Sequence, residues 1–132
     1  MPQKAKKKQH ALSPISIVRE FNQFRFQNYG RIPIPNGNRI DLIKLENISS
    51  FRSSGNYVYI HFNNGKQTLV SKPLKWVEEH LNDFFLRVHN SYIVNLLEVK
   101  SYLISENALL LIDGSTIPVS RSKKASINQL FK

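Results

Sequence analysis

The chain has 132 residues, 41% of them hydrophobic, and no cysteine. That length fits one domain with room for a real core, and the lack of thiols excludes disulfides and thiolate metal sites and fits a reducing cytosol. Nineteen Lys and Arg against nine Asp and Glu give a net charge of +10, and no apolar run is long enough to span a membrane.

The opening "MPQKAKKKQHALSP" carries Lys4, Lys6, Lys7 and Lys8 with no apolar h-region after them, so it does not read as a signal peptide. Residues 1–12 read as a basic arm whose like charges repel one another. Ser13 and Pro14 make a helix start. Ile17, Val18, Phe21 and Phe24 then follow helical spacing, which predicts a helix over about residues 14–25. Such a segment either packs on the domain or ends a linker. The expected division is an arm and linker at 1–30 and a folded domain at 31–132. The charge is shared between them: six basic residues face one acid in the first thirty positions, and thirteen face eight in the rest. A basic domain of this size most often meets a polyanion.

From Gly30 onward the pattern is β. "RIPIP" alternates, and its prolines suit an edge strand. "PNGN" marks a turn before "RIDLIKL". "NYVYIHF" is rich in aromatic and β-branched residues, and "NNGK" turns it into "QTLVS". "KPLKWVEEHL" shifts to helical period, with Leu74, Val77 and Leu81 on one face and Glu78 and Glu79 on the solvated side. Trp76 reads as core or cover. "EVKSYLI", "ALLLI" and "STIPVS" are further strands, separated by "SEN" and "DG" turns, and "SRSKKASINQLFK" closes the chain as a short helix.

Enzyme chemistry finds little footing. His10, His61, His80 and His89 never fall in a zinc-binding pair spacing, there is no phosphate-binding glycine loop, and Ser91 beside His89 forms no nucleophile elbow. The expectation is a non-enzyme that needs no metal or cofactor.

The block "FFLRVHNSYIVNLLEV" is apolar enough to be buried, yet holds Arg87, His89, Asn90, Ser91 and Asn95, which are costly to bury unless satisfied. Phe85, Val88, Ile93 and Val94 read as anchors, Arg87 and Asn95 as side chains that hold a loop through the backbone, and His89 and Asn90 as its exposed tip.

Taken in order, "NISSFRSSGNYVYIHFNNGK", "KPLKWVEEHL", "FFLRVHNSYIVNLLEV" and "LLLIDGSTIPVSRSKKASI" resemble the LytTR-type DNA-binding domain of bacterial transcription regulators, from about Arg39 to Leu130. The third block, a Phe-x-Arg-x-His segment followed by Ser-aromatic-hydrophobic-Val-Asn, carries most of the likeness. Residues 1–30 lie outside it. The resemblance implies a mainly β, elongated antiparallel domain with short helices, whose loops enter successive major grooves of double-stranded DNA. It implies a cytoplasmic regulator of transcription, often placed behind a receiver domain as in response regulators. A chain of 132 residues has no room for a receiver, so the resemblance fits either a stand-alone regulator or part of a longer one. A second copy on repeated half-sites is a further expected partner.

Residue by residue, the resemblance puts base contacts at His89, Asn90 and Arg121, and at Asn56 in "SSGNYVYI". Asn offers adenine a donor and an acceptor, and Arg forks onto guanine. The competing readings are a satisfied structural histidine for His89, a turn former for Asn90 and Asn56, and a surface cation for Arg121. Phosphate contacts are expected from Lys72, Lys75, Ser91, Ser120, Lys123 and Lys124, with Arg52 assisting. Tyr92 is either a phosphate donor or core. Two other functions stay open. "YVYIHF" sets Tyr57, Tyr59 and His61 on one face, as in single-strand or RNA platforms. A protein-interaction module with incidental charge is the third.

Overall fold

A computed structural model describes residues 30–132; the expected arm at 1–12 and helix at 14–25 lie outside the described residues. Among the described residues ten strands form three antiparallel sheets. The hairpin of β1 (Arg31–Asn36) and β2 (Arg39–Lys44) turns at Gly37, whose φ of +64° suits a residue without a side chain. A single 3-10 turn, Leu45–Asn47, leads into β3 (Ile48–Ser54).

β3, β4 (Tyr57–Phe62), β5 (Gln67–Val70), β6 (Phe85–His89) and β7 (Tyr92–Asn95) make a five-stranded sheet in the order β5-β4-β3-β7-β6. The chain makes the hairpin β3–β4, adds β5, crosses through the short helix α1 (Leu74–Glu78), and returns as a second hairpin, β6–β7, on the other side of β3. A third sheet, ordered β10-β9-β8, is built from β8 (Val99–Leu103), β9 (Ala108–Leu111) and β10 (Thr116–Pro118), and helix α2 (Lys124–Leu130) closes the chain.

The alternations seen in the sequence assign the faces. On β4, Val58, Ile60 and Phe62 turn to a first core that also takes Ile32 and Ile34 from β1, Phe51 from β3, Leu74 and Val77 from α1, and Ile93 from β7. Fully burying each such side chain contributes about 1.5–3 kcal/mol. A second core lies behind β6–β7. Val88 and Val94 meet Leu109 and Leu111 of β9, Ile117 of β10, Val119, and Ile127 of α2. The hairpin β6–β7 is thus buried on both faces, with Phe85 and Ile93 toward the first core and Leu86, Val88 and Val94 toward the second.

Asn95 is the polar residue that this burial makes most demanding, at 2% exposure. Its Nδ2–H donates to the Ile48 carbonyl at 2.9 Å and its Oδ1 accepts from the Leu97 amide at 3.0 Å. One side chain therefore joins the end of β7 to the start of β3 and caps the 3-10 turn Leu96–Glu98. Asn95→Ala leaves the buried Ile48 carbonyl without its donor and should destabilise the domain by about 1–3 kcal/mol, measured as the shift in urea midpoint. Asn90→Ala, at an exposed turn, should change it by less than about 0.5 kcal/mol.

Candidate nucleic-acid interface

The β6–β7 hairpin turns tightly at Asn90 and Ser91. Two side chains, Arg87 and His89, hydrogen-bond into that turn. The Arg87 guanidinium donates to the Asn90 carbonyl at 2.6 Å and to the His89 carbonyl at 3.4 Å. It also pairs with Glu78 of α1 at 3.2 Å. Glu78 was expected on a solvated face. It is exposed, but it is held by Arg87, and it links α1 to the turn. His89 accepts the Ser91 amide through Nδ1 at 3.1 Å and meets the Tyr92 ring edge-on at 5.7 Å. A β-bulge between Arg87 and His89 sets up this geometry: Val88 is the extra residue and stays buried, while His89 is re-aimed to lie across from Tyr92.

His89 is therefore half-buried and partly structural, and only Nε2 is left to face outward. Asn90 is exposed, and its side-chain amide makes no hydrogen bond among the described residues. Ser91 is half-buried and its carbonyl accepts the Ser53 amide at 2.9 Å. Tyr92 packs against the second core, which favours the core reading over a phosphate donor.

Two further segments are brought to this edge by backbone hydrogen bonds. The Ser53–Ser91 bond sets the β3–β4 turn, Gly55 and Asn56, beside the β6–β7 turn. Gly55 has φ +61° and Asn56 is exposed next to it, so Asn56 is both a turn former and an outward-facing amide. From the other side, the Ser120 amide donates to the Val88 carbonyl at 2.8 Å. This ties the stretch after β10 to β6, and Arg121 follows it, exposed, at the start of the 3-10 turn Arg121–Lys123. Ser120 Oγ lies 3.2 Å from Ser122 Oγ. His89, Asn90, Asn56, Ser120 and Arg121 are thus drawn to one edge of the domain.

The remaining cations divide into engaged and exposed. Lys72, which follows β5, lies over the Trp76 ring at 5.1 Å, and His80 covers the same indole at 4.2 Å, so Trp76 is cover. Arg52 lies over the Tyr59 ring at 4.6 Å, set back from the turns on the sheet face. Lys75 and Lys124 are exposed and Lys123 is half-buried.

Asn107 has a role that its sequence position did not announce. It sits in the turn between β8 and β9 with φ +51°, the one non-glycine residue with positive φ among those described. Its Nδ2–H donates to the Val119 carbonyl at 2.9 Å, its own carbonyl accepts the Val119 amide at 2.9 Å, and the Tyr102 hydroxyl donates to its Oδ1 at 2.7 Å. It clamps the residue before Ser120 and so positions the Arg121 segment. The signal in the sequence is the "SEN" turn, since Asn tolerates that backbone.

A LytTr DNA-binding domain family model matches residues 38–132. The chain belongs to the LytTR family of DNA-binding domains. The heme-containing CO-sensing transcriptional regulator RcoM 1 of Paraburkholderia xenovorans is 32% identical over 106 residues, 76% of this chain and 39% of that protein. The transcriptional regulatory protein LytR of Staphylococcus aureus is 31% identical over 107 residues, 75% of this chain and 43% of that protein. The chain thus spans about two-fifths of the length of these relatives. The LytTr DNA-binding domain of a putative methyl-accepting/DNA response regulator from Bacillus cereus shares the fold, with a TM-score of 0.65 and 19% identity over 77% of this chain and 96% of that one. As a LytTR domain the chain is a DNA-binding domain. Among its described residues no helix is long and apolar enough to cross a membrane, and no group of acids and histidines is arranged to hold a metal ion.

The face of β4 opposite the first core carries Tyr57, Tyr59 and His61, as the alternation predicts. Burial, and then the Arg52 charge, hold the His61 imidazole below its ordinary 6.5, with Asp113 opposing. Between that value and the lowered one the unfolded chain binds more protons than the fold does. Stability should therefore be full above pH 6.5 and fall as the pH drops below it, and His61→Gln should flatten the dependence in urea midpoints taken from pH 7.5 to 5. Asp113, lowered chiefly by the Ser115 hydroxyl, acts in a separate window below its ordinary 3.8.

Proposed function

We propose that this LytTR domain reads double-stranded DNA in a sequence-specific way and serves transcription regulation in the cytoplasm. Its loops enter the major groove. The observation that carries the reading is the convergence of three separate turns on one edge, joined by the Ser53–Ser91 and Ser120–Val88 backbone bonds. The regulators of similar sequence support it.

Asn90 and Asn56 supply outward amides suited to adenine, Arg121 supplies a fork suited to guanine, and His89 offers Nε2. The half-buried position of His89 makes its reach shorter than that of Asn90 or Arg121. Lys72, Lys75, Lys123 and Lys124 neutralise phosphates, and Ser91, Ser120 and Arg52 add hydrogen bonds at the flanks. Two copies on repeated half-sites would double the length of DNA covered. In-vitro selection of sites from a random DNA pool would give both the preferred bases and the half-site spacing.

Substitution separates readers from scaffold. Asn90→Ala and Arg121→Ala should leave the melting temperature nearly unchanged and each weaken cognate duplex by about 1–3 kcal/mol. Scrambled duplex should be affected less, because the lysines still neutralise phosphates. Val94→Ala should do the reverse, lowering stability by about 2 kcal/mol by opening a void in the second core. Melts paired with titrations decide it. Variants that melt while their folded fraction binds normally would make these residues structural. Single-stranded DNA or RNA outcompeting duplex would move the function to the Tyr57–Tyr59 face.

The basic arm is a phosphate-binding extension in this proposal. Deleting residues 1–12 should weaken binding equally on all sequences and flatten the salt dependence by about 0.9 for each phosphate that the arm neutralises. A changed base preference in the truncated chain would show instead that the arm reads a groove.

A further inference from the structure

At the end of the domain away from the Asn90 turn lies a cleft of about 360 Å³, lined among others by Gly30, Arg31, Lys44, Phe84 and Leu97. We propose that it is the docking site for the segment of this chain that precedes Gly30, residues 14–29, with the apolar stripe of a helix over 14–25 seated on it.

Three observations converge. The first is where the chain enters. Gly30 lies on the wall of the cleft, its carbonyl accepts the Leu45 amide at 2.7 Å, and its φ of +76° fixes the direction of the preceding residues. The second is reach. Residues 26–29 extend at most about 14 Å, so a helix ending at residue 25 starts beside the cleft. A tether that short gives an effective concentration on the order of millimolar, so even a weak apolar contact is occupied.

The third is complementarity of surface. Phe84 and Leu97 border the cleft at 53% and 63% exposure. The segment brings Ile17, Val18, Phe21 and Phe24 at helical spacing, and a helix of about twelve residues is marginal in water until such a stripe is covered.

Phe84 precedes β6 and Leu97 follows β7, whereas Asn90 lies at their junction. Occupation of the cleft therefore leaves the edge with Asn90 and Arg121 open. The segment then acts as a brace at the back of the domain.

Hydrogen–deuterium exchange of the whole chain tests this. Amides of residues 14–25 should exchange at least about tenfold more slowly than a free peptide of the same sequence. Phe84→Asp with Leu97→Asp should return them to free-peptide rates while the amides of β3, β4 and β7 stay protected. If the double variant loses that core protection, Leu97→Ser alone is read in the same way. Three results overturn the proposal: free-peptide rates in the wild-type chain, protection that survives the cleft substitutions, or protection that grows with protein concentration. The last would place a second copy's segment in the cleft.

Discussion

The structure depends on burying one short hairpin from both sides. β6 and β7 are nine residues in all, yet they contribute to both cores. Neither core is complete without them, because Ile93 belongs to one while Val88 and Val94 belong to the other. A strand pair with one wet face can slip or twist at little cost, but a pair packed on both faces cannot change register without moving its apolar set out of one core. Its turn is fixed for the same reason. The Arg87 guanidinium then directs its donors into the turn, to the carbonyls of His89 and Asn90, and its charge to Glu78. What remains outward at Asn90 is a side-chain amide on a backbone that has nowhere else to go, which is the form preorganisation takes here.

The same division sorts the cations. Among the described residues Arg87 pairs with Glu78, Arg39 with Asp41, Arg52 lies on Tyr59 and Lys72 on Trp76. These groups have partners inside the fold. Arg121, Lys75 and Lys124 stand exposed, with no ion pair to another described residue. A polyanion meeting this surface finds some cations already oriented by aromatic rings and others free to adjust. A fixed cation gives register, and a free one gives affinity that falls with salt.

Much of this was legible in the sequence because strand alternation writes the faces directly. "YVYIHF" divides into Val58, Ile60 and Phe62 inward and Tyr57, Tyr59 and His61 outward, as it reads. The polar cluster inside "RVHNSYIVN" likewise forecast a turn braced by Arg87 with Asn90 exposed, but Asn95, read as holding the same loop, instead binds the Ile48 carbonyl and caps the 3-10 turn at the other end of β7. The unread parts are those set by distant partners. Nothing local tells β3 to pair with β7 forty residues on. The bulge at Val88 depends on what both faces of the hairpin meet. The Glu78–Arg87 pair joins a helix to a turn, and Asn107 acts on Val119 through a fold-back that only the third sheet creates. The helix at "KPLKWVEEHL" is five residues, Leu74–Glu78, with Pro73 at its N-cap position, shorter than its apolar spacing suggested.

The proposed duplex reading is favoured over the competing aromatic platform by the state of its rings more than by their number. A base stacks on an open π-face. Tyr59 is the central ring of the β4 row, and Arg52 already lies over it at 4.6 Å. Tyr57 is open at 48%, but it sits at the turn beside Asn56, on the edge proposed for duplex DNA. A single strand crossing the sheet would have to displace Arg52 and then pass half-buried His61, whose charged form burial disfavours. The turns ask for no such rearrangement: their amides and the Arg121 fork already project from a braced backbone. A rigid set of short projections suits the regular major groove better than the irregular path of a single strand.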